Sequence, residues 1–290
     1  MVGEREAAGT QRWVVGVDGS DNSVRALRWA AHNAPGRAST LRIVRAWSVP
    51  TSGGLTVVPS MIAEFRPETA YESLEALTAE MYSLGVTVEA TVEYGATSTV
   101  LLDACDDADL LVIGTRGLGG FSRLLLGSTS HQCATHARVA VVVVPAATDA
   151  DADLERIVVG MDASAGARAA LAWTLDFAAE DAVVEVVGAA TGGIGADLLD
   201  QPIEVGTALT PFHAAVDEVE ATRSAAGRCE RKLVEGHAAV ALLDATSDAD
   251  LLVVGERGRR GLKAALLGSV TTEVLHRADR PVVVVPVDGR

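Results

Sequence analysis

The sequence predicts an α/β protein made of two tandem doubly wound domains, each a five-stranded parallel sheet with strand order 3-2-1-4-5 (Rossmann-like). Valine-rich apolar runs with little polar alternation are typical of strands that are buried on both faces. A helical pattern follows each early run, as the crossovers of a parallel sheet require. The whole pattern is written twice, which predicts two domains.

The two halves match each other closely. RWVVGVDGS begins at residue 12 and RIVVGMDAS at residue 156, while the segments 101–117 and 242–258 agree at 13 of 17 positions. The offset between copies is 144 residues at Asp18 and Asp162, and 141 residues at Gly127 and Gly268. Such a nearly constant offset indicates a tandem duplication. The small, polar segment 145–155 then predicts domains at 1–147 and 148–290.

Apolar and helical patterns locate the elements of each half. In the first half we expect strands at 13–18, 40–46, 86–93, 110–114 and 139–144, and helices at 22–34, 67–84, 97–105 and 128–136. In the second half we expect strands at 157–162, 183–189, 229–234, 251–255 and 282–285. The Gly-rich segment 191–210 predicts a mobile loop after the second strand of that half.

Composition excludes several classes of function. The net charge of −15 leaves no basic face for a nucleic acid. No apolar run reaches the length of a membrane span, and the first residues lack the apolar core of a signal peptide. Three cysteines without paired or metal-ligand spacing favour a reducing compartment. We therefore expect a cytoplasmic protein without nucleic-acid or membrane partners.

A glycine motif occurs once in each half, with the pattern Gly, two residues, Gly, nine residues, Gly-Ser. The copies are Gly114, Gly117, Gly127-Ser128 and Gly255, Gly258, Gly268-Ser269. In the predicted strand order, ligands bind beyond the carboxyl ends of the first and fourth strands. Asp18 or Asp162 ends the first strand, and the motif begins where the fourth strand ends. Each half therefore predicts a crevice that brings these residues together.

The residue types of the motif favour phosphate binding. Glycines at the strand end permit positive φ and a close approach of a ribose. A helix that begins at Gly-Ser presents unpaired N–H groups and a partial positive charge to phosphates. Further hydroxyl donors and one cation of the first loop complete the set: Ser128, Ser130, Ser269, Thr271 and Arg123. The second loop carries Arg259, Arg260 and Lys263 instead.

The two aspartates and their neighbours allow more than one interpretation. Asp18 and Asp162 could hold a magnesium ion bound to phosphates, hold a ribose hydroxyl, or only cap the following helix. Ser20 and Ser164 are predicted as local caps. The acidic run 106–109 is predicted as solvated charge at a helix end, and Cys133 as a small buried hydrophobe.

Other phosphate motifs do not fit the sequence. A Walker-type loop needs Gly-Lys-Ser/Thr, and the first half contains no lysine. The dinucleotide fingerprint should follow the first strand, whereas this motif follows the fourth. In addition, Ser122 stands where the third glycine of that fingerprint is required.

These residues resemble the universal stress protein family in its tandem, nucleotide-binding form. The glycine pattern carries the resemblance, together with Asp18, Asp162 and the valine-rich ending at 281–286. The resemblance implies that ATP is bound and that adenine rests near backbone at Ala46 and Ala189. It also implies that fifth strands pair, either within the chain or in a homodimer. Glu256 departs from Thr115 of the first copy, which predicts unequal affinities.

Three functions follow as hypotheses. The first is an ATP-binding stress-response protein with one site per domain, in which the nucleotide controls conformation or the binding of an unidentified protein partner. The second is a slow ATPase or an ATP-using transferase, for which the sequence offers no evident general base. The third is an interaction module in which the nucleotide is structural or absent, with the loop 191–210 and the fifth strands as its working surfaces.

Overall fold

The computed structural model describes residues 11–35, 37–48, 74–75, 77–78, 87–117, 126–190, 205–258 and 266–287. Contacts divide the chain into two compact units: residues 134–148 group with the second half, and residues 149–151 with the first. The predicted helix 67–84 lies almost wholly outside the described residues, and so do residues 191–204 of the predicted loop 191–210. The boundary between residues 147 and 148 stays a prediction from the repeat.

The first unit contains a parallel sheet in the order β3-β2-β1-β4. Its strands are β1 (Gln11–Gly16), β2 (Ala38–Trp47), β3 (Thr87–Tyr94) and β4 (Leu110–Gly114). The helices are α1 (Asp21–Asn33), α2 (Thr97–Asp103) and α3 (Ser128–His136), the last of which begins in this unit. This arrangement places the carboxyl ends of β1 and β4 side by side, as the sequence predicts.

The second unit repeats that plan and adds one strand. Its sheet has the order β5-β10-β9-β6-β7-β8. The strands are β5 (Ala140–Val144), β6 (Arg156–Gly160), β7 (Val183–Ala190), β8 (Cys229–Glu235), β9 (Leu251–Gly255) and β10 (Val282–Val285). The helices are α4 (Ala165–Phe177), α5 (Val205–Thr222), α6 (Ala238–Ala245) and α7 (Ser269–Arg277). Thus β5, the fifth strand of the first half, lies beside the fifth strand of the second.

The pairing of β5 with β10 is antiparallel and purely aliphatic. Val143 faces Val282, and Val142 faces Val283. All of the valines in these two strands are buried. The remaining strand pairs of the second unit are parallel. The strand that the first half contributes therefore covers the edge that β10 would otherwise expose.

Valine-rich strands and packed aromatic rings form the core. The strands β4, β5 and β10 are buried along their whole length, as expected for strands covered on both faces. Trp29 of α1 stacks on Trp13 of β1 with ring centroids 6.5 Å apart, and both side chains are at most 1% exposed. Large rings of this kind dominate core burial, so α1 is fixed on β1.

The three aspartates of the acidic run 106–109 are exposed just after α2, as predicted, and two of them also bind residues at the start of the first sheet. Asp107 pairs with Arg12 at 2.7 Å and with both terminal nitrogens of Arg42 at 2.7 and 3.0 Å. Asp109 accepts the backbone N–H of Arg12 at 2.8 Å. These carboxylates therefore join the α2–β4 connection to β1 and β2.

Candidate functional site

The carboxyl end of β1 leads into a tight, hydrogen-bonded turn. Oδ1 of Asp18 accepts the backbone N–H of Ser20 at 3.0 Å and its hydroxyl at 2.6 Å. Ser20 is the N-cap of α1, and its side chain accepts the N–H of Ser23 at 3.3 Å. Gly19 has φ +87°, a conformation that favours glycine. One carboxylate oxygen of Asp18 is therefore used by the turn, and Oδ2 faces elsewhere.

Oδ2 of Asp18 lies against the glycine loop that follows β4. A Cβ added to Gly117 would be 2.1 Å from this oxygen. In the second unit, a Cβ added to Gly258 would be 2.5 Å from Oδ2 of Asp162. The aspartate and the second glycine of the motif are separated by about a hundred residues, yet they touch in both copies. This is the convergence that the sequence predicts.

The second unit builds the same turn with different residues. Oδ1 of Asp162 accepts the N–H of Ser164 at 3.0 Å, and Ser164 caps α4 by accepting the N–H of Ala167 at 3.2 Å. Ala163 has φ 62° at the position of Gly19. Both serines are thus confirmed as helix caps. Because an L-residue rarely adopts positive φ, the turn itself dictates this backbone conformation.

Gly114 and Gly255 are required for packing, which corrects the predicted reason for these glycines. Neither they nor Gly117 and Gly258 are among the positive-φ residues of the described chain. A Cβ on Gly114 would be 2.8 Å from the backbone oxygen of Asn22, at the start of α1. A Cβ on Gly255 would likewise meet the α4 backbone within 2.5 Å. The first glycine of each motif therefore lets a helix start pack against the end of its strand.

Hydrogen bonds close each loop back onto its strand. The N–H of Gly127 donates to the carbonyl of Thr115 at 2.7 Å, and the N–H of Gly268 donates to the carbonyl of Glu256 at 2.8 Å. These bonds bring the two ends of a nine-residue excursion together. The following helix, α3 or α7, therefore begins next to the carboxyl end of its strand.

The hydroxyls of the third residue of α3 and of α7 hydrogen-bond to the loop. Ser130 donates to the carbonyl of Gly114 at 2.8 Å and lies 3.3 Å from that of Thr115. Thr271 donates to the carbonyl of Gly255 at 2.8 Å. Both side chains are only 4% exposed. Each hydroxyl has a single hydrogen, which these bonds use, so both residues stabilise the crevice, and their predicted contact with phosphate stays a prediction.

The start of α7 is uncapped as far as the described residues show. Its N-cap is Gly268, with φ −62° and ψ 152°, and no side chain of those residues caps the helix. The first N–H groups of an α-helix have no intrahelical acceptor, and the helix dipole adds partial positive charge there. An anion beside Ser269 would satisfy both, and Ser128 holds the same place at the start of α3.

Glu256 is turned into the protein and neutralised. Its side chain is 4% exposed, and its Oε1 lies 3.2 Å from Nη2 of Arg257. The backbone N–H of Glu256 donates to the carbonyl of Val285 in β10 at 2.9 Å. The carboxylate that departs from Thr115 is thus paired with a cation, which reduces its repulsion of a phosphate.

Ala46 and Ala189 lie at equivalent positions at the ends of the second strands. Val17 donates its N–H to the carbonyl of Val44 at 3.0 Å, and Met161 donates to that of Val187 at 2.9 Å. Each alanine follows two residues after that carbonyl and is half-buried. The predicted base position therefore borders the aspartate turn. Arg123 and the cations Arg259, Arg260 and Lys263 lie outside the described residues.

Arg45 is a site residue that sequence reasoning missed. A Cβ added to Gly19 would be 3.6 Å from its Nη1 and 3.9 Å from its Nη2, so the guanidinium lies over the turn after Asp18. The only signal in the sequence was its place beside Ala46. Contact with Gly19 depends on the register of β1 and β2, which a single sequence does not specify.

The donor set allows magnesium only as an ion shared with a ligand. Within the described ranges, no group of three or more His, Cys, Asp or Glu side chains could hold a metal. Oδ2 of Asp18 and Oδ2 of Asp162 each lie against the second glycine of the motif. Magnesium accepts one or two carboxylates when phosphates supply further oxygens. The site thus fits a phosphate-bound ion and not a resident one.

Cys133 of α3 is a packing residue. Its side chain is fully buried, and this burial raises the pKa of the thiol to about 12. The thiol is therefore protonated at neutral pH and is a poor nucleophile. The prediction of a small buried hydrophobe is confirmed.

Two tandem α/β domains, each with a glycine loop and an aspartate turn at the carboxyl edge of a parallel sheet, define the class of protein. A model of the universal stress protein family matches residues 9–145 and 154–286. The chain therefore belongs to the universal stress protein family, in a tandem form. Among the described helices, none combines the length and the apolarity needed to cross a membrane.

Individual relatives agree with this assignment. A universal stress protein of Mycolicibacterium smegmatis is 30% identical over 297 residues, which cover 94% of this chain and 96% of the relative. One of Mycobacterium tuberculosis is 30% identical over 289 residues, covering 93% and 95%. A solved universal stress protein from Archaeoglobus fulgidus is 19% identical, covers 96% of this chain and 99% of its own, and has a TM-score of 0.73. The last similarity shows the shared fold.

Proposed function

We propose that this protein binds one adenine nucleotide, ATP by family resemblance, in each of its two crevices. The observation that carries the proposal is the contact of an aspartate oxygen with the second motif glycine, at Asp18 with Gly117 and again at Asp162 with Gly258. This contact leaves no room for a side chain and brings a carboxylate, bare backbone and a helix start together. Such a combination suits a ribose and its phosphates.

Each part of the nucleotide has a candidate binding group. Phosphates would bind the N–H groups and the hydroxyl at the start of α3 or α7, at Ser128 or Ser269. Arg123 would add a cation in the first loop. The ribose, or a magnesium ion held mainly by phosphates, would contact Oδ2 of the aspartate. Adenine would rest against the backbone at Ala46 or Ala189.

The nucleotide acts as a ligand that selects a conformation and is not a fuel. A ligand shifts a conformational equilibrium by its difference in affinity for the two states, without any chemical step. Nucleotide-dependent binding of a protein partner would be the readout. Release of phosphate over many turnovers at about 1 s⁻¹ or faster, the usual range for enzymes, would instead support the ATPase hypothesis.

The test counts nucleotides. Freshly purified protein is denatured and the released small molecules are identified by mass spectrometry, then ATP is titrated into nucleotide-free protein. We expect two sites in the natural chain, one in each single variant, Gly117→Ala or Gly258→Ala, and none in the double variant. The added methyl displaces the aspartate while the strand and helix contacts remain, so circular dichroism should stay unchanged. Equal ATP binding by the folded double variant would refute the proposal.

A further inference from the structure

The two crevices differ in chemistry at the ends of their second strands. Strand register makes the comparison direct, because Val17 donates to Val44 and Met161 donates to Val187 in the same way. One residue further along, the first crevice has Arg45 and the second has Gly188. The two halves therefore share the backbone hydrogen bond at this position but not the charged side chain.

Arg45 brings a cation to the aspartate turn of the first crevice. Its Nη1 and Nη2 would lie 3.6 and 3.9 Å from a Cβ on Gly19, the residue that follows Asp18. Gly19 has no side chain and holds φ +87°, so the guanidinium and the turn approach closely. A nucleotide that contacts Asp18 and the backbone at Ala46 would pass beside this cation.

The same position of the second crevice is apolar and filled. A Cβ added to Gly188 would be 2.8 Å from Cδ1 of Leu233 and 2.8 Å from Cδ2 of Phe212. The ring of Phe212, from α5, is only 4% exposed. An arginine could not be accommodated there without moving these side chains.

A second difference lies two residues beyond Arg45. Trp47 and Tyr94 are register partners at the ends of β2 and β3, and their rings make an edge contact with centroids 4.9 Å apart. Tyr94 is 68% exposed. The corresponding partners in the second unit are Ala190 and Glu235. Where adenine is expected to rest, the first crevice is thus cationic and aromatic. The second crevice has a small residue and an acidic one at the equivalent strand ends.

We propose that Arg45 is a nucleotide-binding residue of the first crevice, where its guanidinium contacts the bound nucleotide beside Asp18. This rests on the proposed nucleotide binding and adds that Arg45 contributes to the first site alone. Its cation adds a charge-assisted hydrogen bond or a contact with the face of the base. At the equivalent turn of the second unit a different arginine, Arg168, donates to the carbonyl of Ala163 and pairs with Glu218 at 3.0 Å.

The experiment isolates each crevice with a glycine variant. Gly258→Ala leaves the first crevice, and Gly117→Ala leaves the second. Arg45→Gln is then added to each background, and ATP affinity is measured by calorimetry. We expect about a tenfold or greater loss in the Gly258→Ala background, because hydrogen bonds to charged groups contribute on that scale. No change is expected in the Gly117→Ala background.

Two controls make the result specific. Arg28→Gln removes the same charge from an exposed position on α1 and should leave affinity unchanged. Arg45→Lys keeps the charge and should recover part of the loss. Thermal unfolding confirms that each variant is folded.

The outcomes separate this inference from the proposed function. If the Gly258→Ala protein binds one ATP and Arg45→Gln has no effect, or if Arg28→Gln causes an equal loss, the role of Arg45 is refuted while nucleotide binding stands. If no protein in the series binds nucleotide, the proposed function itself fails.

Discussion

At the residue scale, the duplicated site keeps its contacts while its side chains change. Ser130 and Thr271 both donate to the carbonyl at the end of the fourth strand of their half. Gly19 and Ala163 both have positive φ, 87° and 62°, although only the first is glycine. The geometry of the crevice is therefore fixed by backbone positions, and several residue types can satisfy it.

The motif glycines were predicted at the right positions, but for the wrong physical reason. The spacing of the glycines identified the loop and its meeting with Asp18. Positive φ was the expected cause, yet Gly114 is needed because the α1 backbone lies where its Cβ would be. Steric exclusion by a distant segment leaves no mark on the local sequence, so only the position of the glycine could be predicted.

Asp107 gives a prediction about acid stability. Hydrogen bonds and the charge of Arg42, with a further contribution from Arg12, lower the pKa of Asp107 from an ordinary 3.8 to about 2. A depressed pKa stabilises the fold above the ordinary value, and this stabilisation is lost as the pH falls toward about 2. We expect Asp107→Asn to lower the midpoint of urea unfolding at neutral pH, with the difference from the natural chain vanishing near pH 2.

Asp106→Asn is the matched control for this measurement. Asp106 is exposed and adjacent, so its replacement removes the same charge without breaking the contacts to Arg12 and Arg42. A pH profile of Asp107→Asn that ran parallel to that of the natural chain would contradict the assignment.

At the element scale, strands were predicted to within two residues, whereas one helix start was missed. Strands are identified by continuous valine-rich runs, and these can be recognised without knowing which strands pair. The segment 205–210 was predicted as part of a loop, but α5 begins at residue 205. The glycine content of the segment, which includes Gly206, caused the error, since glycine is a poor helix former and tertiary packing overrides that preference.

The caps of α1 and α4 give a prediction at this scale. Removing a serine N-cap costs about 1 kcal/mol. We expect that cost for Ser164→Ala, measured as a loss in the free energy of unfolding. Ser20→Ala should cost more, because the Ser20 hydroxyl also donates to the carboxylate of Asp18 at 2.6 Å.

Aspartate substitutions provide the control for the caps. Ser164→Asp retains an acceptor for the first helical turn and should recover most of the stability. Equal losses in Ser20→Ala and Ser164→Ala would show that the bond from Ser20 to Asp18 adds nothing.

At the scale of the whole molecule, the sequence repeat predicted two similar halves. The contacts differ from the repeat in one strand, β5, which they group with the second half. Sequence similarity follows the duplication and assigns residues 139–144 to the first half. Contacts group β5 with the second unit, where Val142 and Val143 pair with β10. Sequence patterns identify a strand that needs a partner but not which partner it finds, so the pairing of the fifth strands was expected only from the family resemblance.

Fragments of the second half test the role of β5. A fragment of residues 138–290 retains the strand, while residues 154–290 lack it. We expect the longer fragment to unfold at a higher temperature than the shorter one, because the shorter one lacks the buried valine pairing of β5 with β10. Thermal unfolding followed by circular dichroism measures the difference. Equal unfolding temperatures of the two fragments would show that β5 is dispensable.

The shared strand also bears on how such a gene can change over time. A deletion of the first copy would also remove β5. The remaining copy would then have β10 as an unpaired edge strand. Natural proteins cover or charge such edges, but the valines of β10 carry no protective charge. Loss of one copy would therefore be penalised by aggregation even if the other crevice still worked. Selection against aggregation would therefore retain both copies after the duplication, while their ligand preferences could still diverge.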